Sequence, residues 1–123
     1  MAKTVLIVDD SPTMRQMVAY TLTTAGFQVV EAEHGRDAVN KVTGGPKMDL
    51  VVTDLNMPEM DGLALIKELR NMPSFKFTPI LMLTTESSDE KKKNGKAAGA
   101  TVWIVKPFNP VLMLKVIAKV LPA

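Results

Sequence analysis

The stretch VLIVDDSPTMR, residues 5–15, sets Asp9 and Asp10 side by side immediately after four apolar residues. Adjacent like charges repel, and the repulsion grows where water is scarce. Three further polar residues stand in the same relation to an apolar run: Asp54 in DLVVTDLNMPEMDG, Thr84 in ILMLTTES and Lys106 in VWIVKPF. Where those run ends converge, they gather three carboxylates, one hydroxyl and one ammonium. Clustered carboxylates are tolerable around a hard divalent cation, and magnesium binds through a few carboxylates together with waters and a phosphate oxygen.

Each residue also has a plainer reading. Asp9 and Asp10 suit the positive end of a helix, yet Ser11 already fills the cap, so a second acid there is surplus. Asp54 fits a turn shaped by Pro58 and Gly62, Thr84 an ordinary strand end, and Lys106 a solvated lysine whose direction Pro107 restricts. Taken together the five favour one shared site.

Convergence requires a particular architecture. Short apolar runs at residues 5–8, 29–30, 50–52, 80–83 and 102–105, several of them rich in β-branched side chains, read as parallel strands covered on both faces. Helical patterns lie between them. The first has Ser11 as N-cap, Pro12 at the first helical position, an apolar face of Met14, Met17, Val18, Leu22 and Ala25, and Gly26 as a stop. The others fall near residues 36–42, 62–72, 87–98 and 109–121, with a Ser87–Glu90 capping box, a Gly99 C-cap and an Asn109–Pro110 cap. Strict alternation of strand and helix implies an α/β fold with a doubly wound, five-stranded parallel sheet. In such sheets ligands bind outside the carboxyl ends of the strands, where the winding reverses, which is where these polar residues fall.

The bulk properties narrow the function. The 123 residues suit one domain spanning 1–123, and 46% apolar with 23% charged residues is a globular balance. A net charge of +2 is too small to argue for nucleic acid or an anionic membrane. With no cysteine, disulfides, thiolate catalysis and sulfur-bound zinc are excluded. The first apolar run is too short for a signal peptide or a membrane span, so a cytoplasmic location is expected. Met14, Met17, Met57, Met60, Met72, Met82 and Met113 read as packing residues, His34 as a turn residue without a catalytic role, and EKKKNGK as the solvated face of the fourth helix, in which Gly95 is expected to cost about 1 kcal/mol relative to alanine.

VDDS, DLNMPEMDG, LTTES and KPF, in this order and at these separations, resemble the response-regulator receiver domains, in particular the CheY-like stand-alone chemotaxis regulators, over the whole chain. The resemblance implies the flavodoxin-like strand order 2-1-3-4-5. It implies that Asp54 accepts a phosphoryl group from a phosphohistidine on a sensor histidine kinase. Asp9, Asp10, Asp54 and the backbone carbonyl of Asn56 would hold Mg2+, Thr84 and Lys106 would contact the phosphoryl oxygens, and Asn56 and Glu86 would tune hydrolysis. Trp103 stands where tyrosine or phenylalanine usually switches inward, and Thr85 where a smaller residue is usual; bulk at both is expected to hinder that movement.

The chain ends at Ala123, so no output domain is expected, and the output would be a changed surface. The implied partners are a chemotaxis kinase, a flagellar motor switch protein and a dedicated phosphatase, with no nucleic acid or membrane, and the implied state is a monomer. The domain would be a phosphoacceptor with intrinsic autophosphorylation and autodephosphorylation, not an enzyme acting on other molecules. A stand-alone receiver in a phosphorelay is the nearest alternative. An aspartyl phosphatase would want an acid where Asn56 stands, a flavodoxin phosphate would be repelled by Asp9 and Asp10, and no GxxxxGK or GxGxxG motif supports nucleotide binding.

Overall fold

The computed structural model describes residues 3–45, 47–107 and 109–121. Its elements are β1 (Thr4–Val8), α1 (Pro12–Thr24), β2 (Gln28–Ala32), α2 (Gly35–Val42), β3 (Leu50–Thr53), α3 (Gly62–Arg70), a 3-10 turn (Pro73–Phe75), β4 (Ile80–Thr84), α4 (Asp89–Ala98), β5 (Val102–Val105) and α5 (Pro110–Val120). All paired strands are parallel, in the order β2-β1-β3-β4-β5. The winding therefore reverses between β1 and β3, the two strands that lead into Asp9 and Asp54.

Alternation along the buried strands divides the core in two. Leu6, Val8, Val51, Ile80 and Met82 face the inner sides of α2 and α3, with Ala98 of α4 at the margin. Val5, Ile7, Leu50, Val52, Leu81 and Leu83 face α1 and α5 through Val18, Leu22, Met113 and Ile117. A sheet covered on both faces leaves only its strand ends open to solutes.

Local chemistry sets the helix ends. Ser11 Oγ accepts from Met14 N (3.3 Å) ahead of Pro12, and Asn109 Oδ1 accepts from Leu112 N (3.0 Å) ahead of Pro110. Gly99 closes α4 with φ 117°. Three expectations shift. Serine 88 rather than Ser87 caps α4, its hydroxyl accepting from Lys91 N (3.2 Å), which puts both Asp89 and Glu90 in the first turn beside the helix's positive end. The third helix stops at Arg70, short of residue 72, because Met72 precedes Pro73 and is extended (φ −89°, ψ 127°). His34 is the N-cap of α2, Nδ1 accepting from Asp37 N (3.1 Å), so the helix begins one residue earlier, at Gly35.

Candidate functional site

The site begins where β1 ends. Asp9 N still donates to Ala32 O (3.2 Å), which holds the residue beside β2, and Ser11 N donates to Asp9 Oδ1 (2.9 Å). Asp9 is 4% exposed, whereas Asp10 faces solvent. Across the β1–β3 ladder, Asp54 N donates to Val8 O (3.0 Å), and Asp54 Oδ1 accepts from Leu55 N (2.7 Å). The adjoining loop fits tightly: a Cβ on Gly62 would lie 2.3 Å from Asp54 O, so only glycine fits there.

Asp9, Asp10 and Asp54 each offer one oxygen, all within 4.8 Å of one another. From β5, Lys106 brings Nζ to 3.2 Å from Asp54 Oδ2 and 3.4 Å from Asp9 Oδ2, with its side chain 12% exposed. Its backbone N donates to Thr84 O (2.8 Å), which ties the lysine to the end of β4, and the Lys106–Pro107 bond is cis. Phe108, the last residue of the KPF motif, lies outside the described residues.

Three acids facing one ammonium leave an excess of negative charge. Burial raises the Asp9 pKa above its ordinary value; Asp54 adds to the rise, while the Ser11 amide and Lys106 oppose it. A desolvated carboxylate whose charge is only partly compensated suits an added cation, and an all-oxygen donor set suits a hard one. The cluster could therefore hold a metal ion.

Thr84 and Trp103 are held elsewhere. Thr84 is buried, and its Oγ1 accepts from Glu86 N (3.3 Å). Trp103 Nε1 donates to Glu86 O (2.9 Å), and its ring lies under α4. A Cβ on Gly95 would come within 2.5 Å of Trp103 Cζ3 and 2.8 Å of Cε3, so Gly95 gives the indole room and is not simply a weak point in the helix. Glu86 is half-buried, its carboxylate accepting from Ser88 N (3.3 Å) at the cap of α4. Asn56 and Thr85 are exposed.

The structure also brings in Arg15, which the sequence does not single out, and gives His34, read above as a turn residue, a partner in the neighbouring loop. Arg15 Nη1 donates to Asp9 O (2.7 Å) and its Nε to Glu31 Oε1 (3.2 Å). His34 Nε2 lies 2.8 Å from Glu59 Oε2, joining the loop after β2 to the loop after β3, where Glu59 adopts φ 65°. The one sequence hint of Arg15 was that it is the only charge in α1. Among the described residues no helix is long and apolar enough to cross a membrane.

Over residues 5–118 the sequence matches the family described as response regulator receiver domain. The chemotaxis protein CheY1 of Helicobacter pylori is 43% identical over 109 residues, which cover 88% of each chain. The CheY homologue of Campylobacter jejuni is 41% identical over 117 residues, 94% of this chain and 90% of its own. The solved structure of chemotaxis protein CheY4 from Vibrio cholerae superposes with a TM-score of 0.94 at 50% identity, over 98% of this chain and 100% of that one. The chain belongs to the response regulator receiver domain family, and its fold is CheY-like.

Proposed function

We propose that the chain is a phosphorylation-activated signalling switch of a two-component system, with residues 1–123 as a single receiver unit and Asp54 as its phosphoacceptor. The supporting observation is one ammonium, Lys106 Nζ, lying 3.2 Å from Asp54 Oδ2 and 3.4 Å from Asp9 Oδ2, with Asp10 alongside. An Asp54 oxygen attacks the phosphorus of a phosphohistidine on a sensor kinase. The P–N bond breaks, and its electron pair and a proton go to the imidazole nitrogen. The product is an acyl phosphate on Asp54.

Phosphoryl transfer needs in-line positioning and charge neutralisation more than covalent assistance. Asp9, Asp10, Asp54 and the carbonyl of Asn56 would hold Mg2+, which when bound neutralises phosphoryl oxygens. Lys106 supplies a compact point charge to another phosphoryl oxygen. The Thr84 hydroxyl leaves Glu86 N to bind a third. Asn56 and Glu86 orient the water that later returns Asp54 to the carboxylate and releases inorganic phosphate. The chain thus phosphorylates and dephosphorylates itself without turning over a separate substrate.

The similarity to chemotaxis proteins favours a cytoplasmic monomer that takes its phosphoryl group from a chemotaxis kinase, signals to the flagellar motor switch and is reset by a phosphatase. The test is phosphotransfer from purified sensor kinases to the wild type and to Asp54→Asn, followed by binding to a motor switch protein. Transfer to the wild type alone, with phosphorylation-dependent binding, is expected. Equal label in the variant would overturn the Asp54 assignment. Onward transfer to a histidine phosphotransfer domain, without switch binding, would favour the phosphorelay.

A further inference from the structure

Arg15 has the geometry of a residue that serves the acidic cluster through its backbone, by holding the carbonyl of Asp9. Its guanidinium turns away from solvent, with the side chain 15% exposed. Nη1 donates to Asp9 O at 2.7 Å, and that carbonyl belongs to the peptide joining Asp9 to Asp10. Nε is held at 3.2 Å by Glu31 Oε1, from the neighbouring strand β2. Asp9 is also fixed at its amide by Ala32 O and at its carboxylate by Ser11 N and Lys106, so Arg15 fastens the one group left, the link to Asp10.

We infer that Arg15 is a positioning residue for the cation site: it fixes the Asp9–Asp10 peptide so that both carboxylates present their oxygens toward Asp54, and Glu31 aims it. This rests on the reading above that the three acids hold Mg2+. Partners that orient metal ligands from outside the coordination shell commonly contribute ten- to hundredfold to metal affinity, at about that scale here.

Electrostatics and positioning predict opposite signs for the loss of this residue. Arg15 is a cation close to the site, so removing its charge alone should strengthen Mg2+ binding. Removing its hold on the peptide should weaken binding. The experiment is calorimetric titration of MgCl2, at fixed ionic strength, into the wild type, Arg15→Ala, Arg15→Lys and Glu31→Ala, with urea unfolding of each variant in EDTA. The expected result is a Kd raised about tenfold in Arg15→Ala and by less in Arg15→Lys and Glu31→Ala. Acetyl phosphate uptake should fall at low Mg2+ and recover at saturating Mg2+.

Unchanged or tighter Mg2+ binding in the folded variants, even with a lowered urea midpoint, would overturn the inference and make Arg15 a simple strap between α1 and β2. If Arg15→Ala fails to fold, Arg15→Lys still decides by the same Kd, because it keeps the charge and alters only the hold on the Asp9 carbonyl; Glu31→Ala does not decide alone, since losing its negative charge also weakens Mg2+ binding. A wild type that binds no Mg2+ would instead overturn the magnesium reading itself, and this inference with it.

Discussion

At the residue scale, the acids of the cleft work against the fold that carries them. Asp9 is held in a place where its charge is costly, and Lys106 compensates only part of the excess. Asp10→Asn is expected to raise the unfolding free energy measured by urea in EDTA slightly, by less than about 1 kcal/mol because the side chain is exposed. The wild type should gain about 2.7 kcal/mol at Mg2+ a hundredfold above its Kd, and the variant should lose most of that gain. A melting temperature indifferent to Mg2+ in the wild type would count against the cluster as a metal site. Gly95 gives a second case in which magnitudes decide. Helix propensity alone favours Gly95→Ala by about 1 kcal/mol, whereas forcing a methyl into a filled space costs about 1–3 kcal/mol. With the indole 2.5 Å from the new Cβ and hydrogen-bonded to Glu86, the contact should win, giving a net loss of about 1 kcal/mol in urea unfolding. The acids and Lys106 were legible from sequence because a charge after an apolar run is conspicuous alone. The role of Gly95 was not, since it depends on a ring that arrives from another strand.

At the scale of elements, loops after the strands are tied by side chains that also cap helices. His34 caps α2 through one ring nitrogen and meets Glu59 through the other, while Asp37 Oδ2 accepts from Glu33 N (3.0 Å) and pairs with Lys41 (3.3 Å). The Glu33 amide is the main cause holding the Asp37 pKa below 3.8; burial opposes it and Lys41 reinforces it. A carboxyl whose folded pKa is depressed adds stability above its unfolded pKa and loses it as pH falls through the lower, folded value. Asp37→Asn should therefore lower stability at neutral pH, by less than about 1 kcal/mol given solvent screening, and flatten the acid loss below about pH 4. Urea midpoints of both proteins between about pH 2 and 7 test this, and parallel curves would refute it. The strand and helix rhythm was readable because both periods are strong. The cap of α4 was not, because Ser87 and Ser88 offer the same hydroxyl one residue apart, and only the backbone path chooses between them.

At the scale of the whole molecule, Glu86 links Thr84, at the end of β4, to Trp103 and to the start of α4. Glu86 N donates to Thr84 Oγ1, Glu86 O accepts from Trp103 Nε1, and Glu86 Oε1 accepts from Ser88 N at the start of α4. The far end of that helix is anchored, with Arg70 donating to Gly99 O from Nε (3.2 Å) and Nη2 (2.7 Å) while its Nη1 holds Phe75 O (2.6 Å) and Thr78 O (2.7 Å). A disturbance at Thr84 therefore reaches α4 at its N-terminal end, while Arg70 holds the C-terminal end. None of this was legible from composition or periodicity, because it rests on backbone carbonyls that only the closed sheet brings within reach. If the Thr84 hydroxyl turns to a phosphoryl oxygen, the Glu86 amide loses its acceptor and the carbonyl holding the indole shifts with it. Beryllofluoride with Mg2+ should then shift the emission maximum of Trp103, the only tryptophan, while Mg2+ alone gives a smaller response and Asp54→Asn none to beryllofluoride. A target that binds the shifted state more tightly must enlarge the response and, by reciprocity, tighten beryllofluoride binding. Identical spectra in all these conditions would make Trp103 a passive packing residue and would break the proposed route from Asp54 to α4.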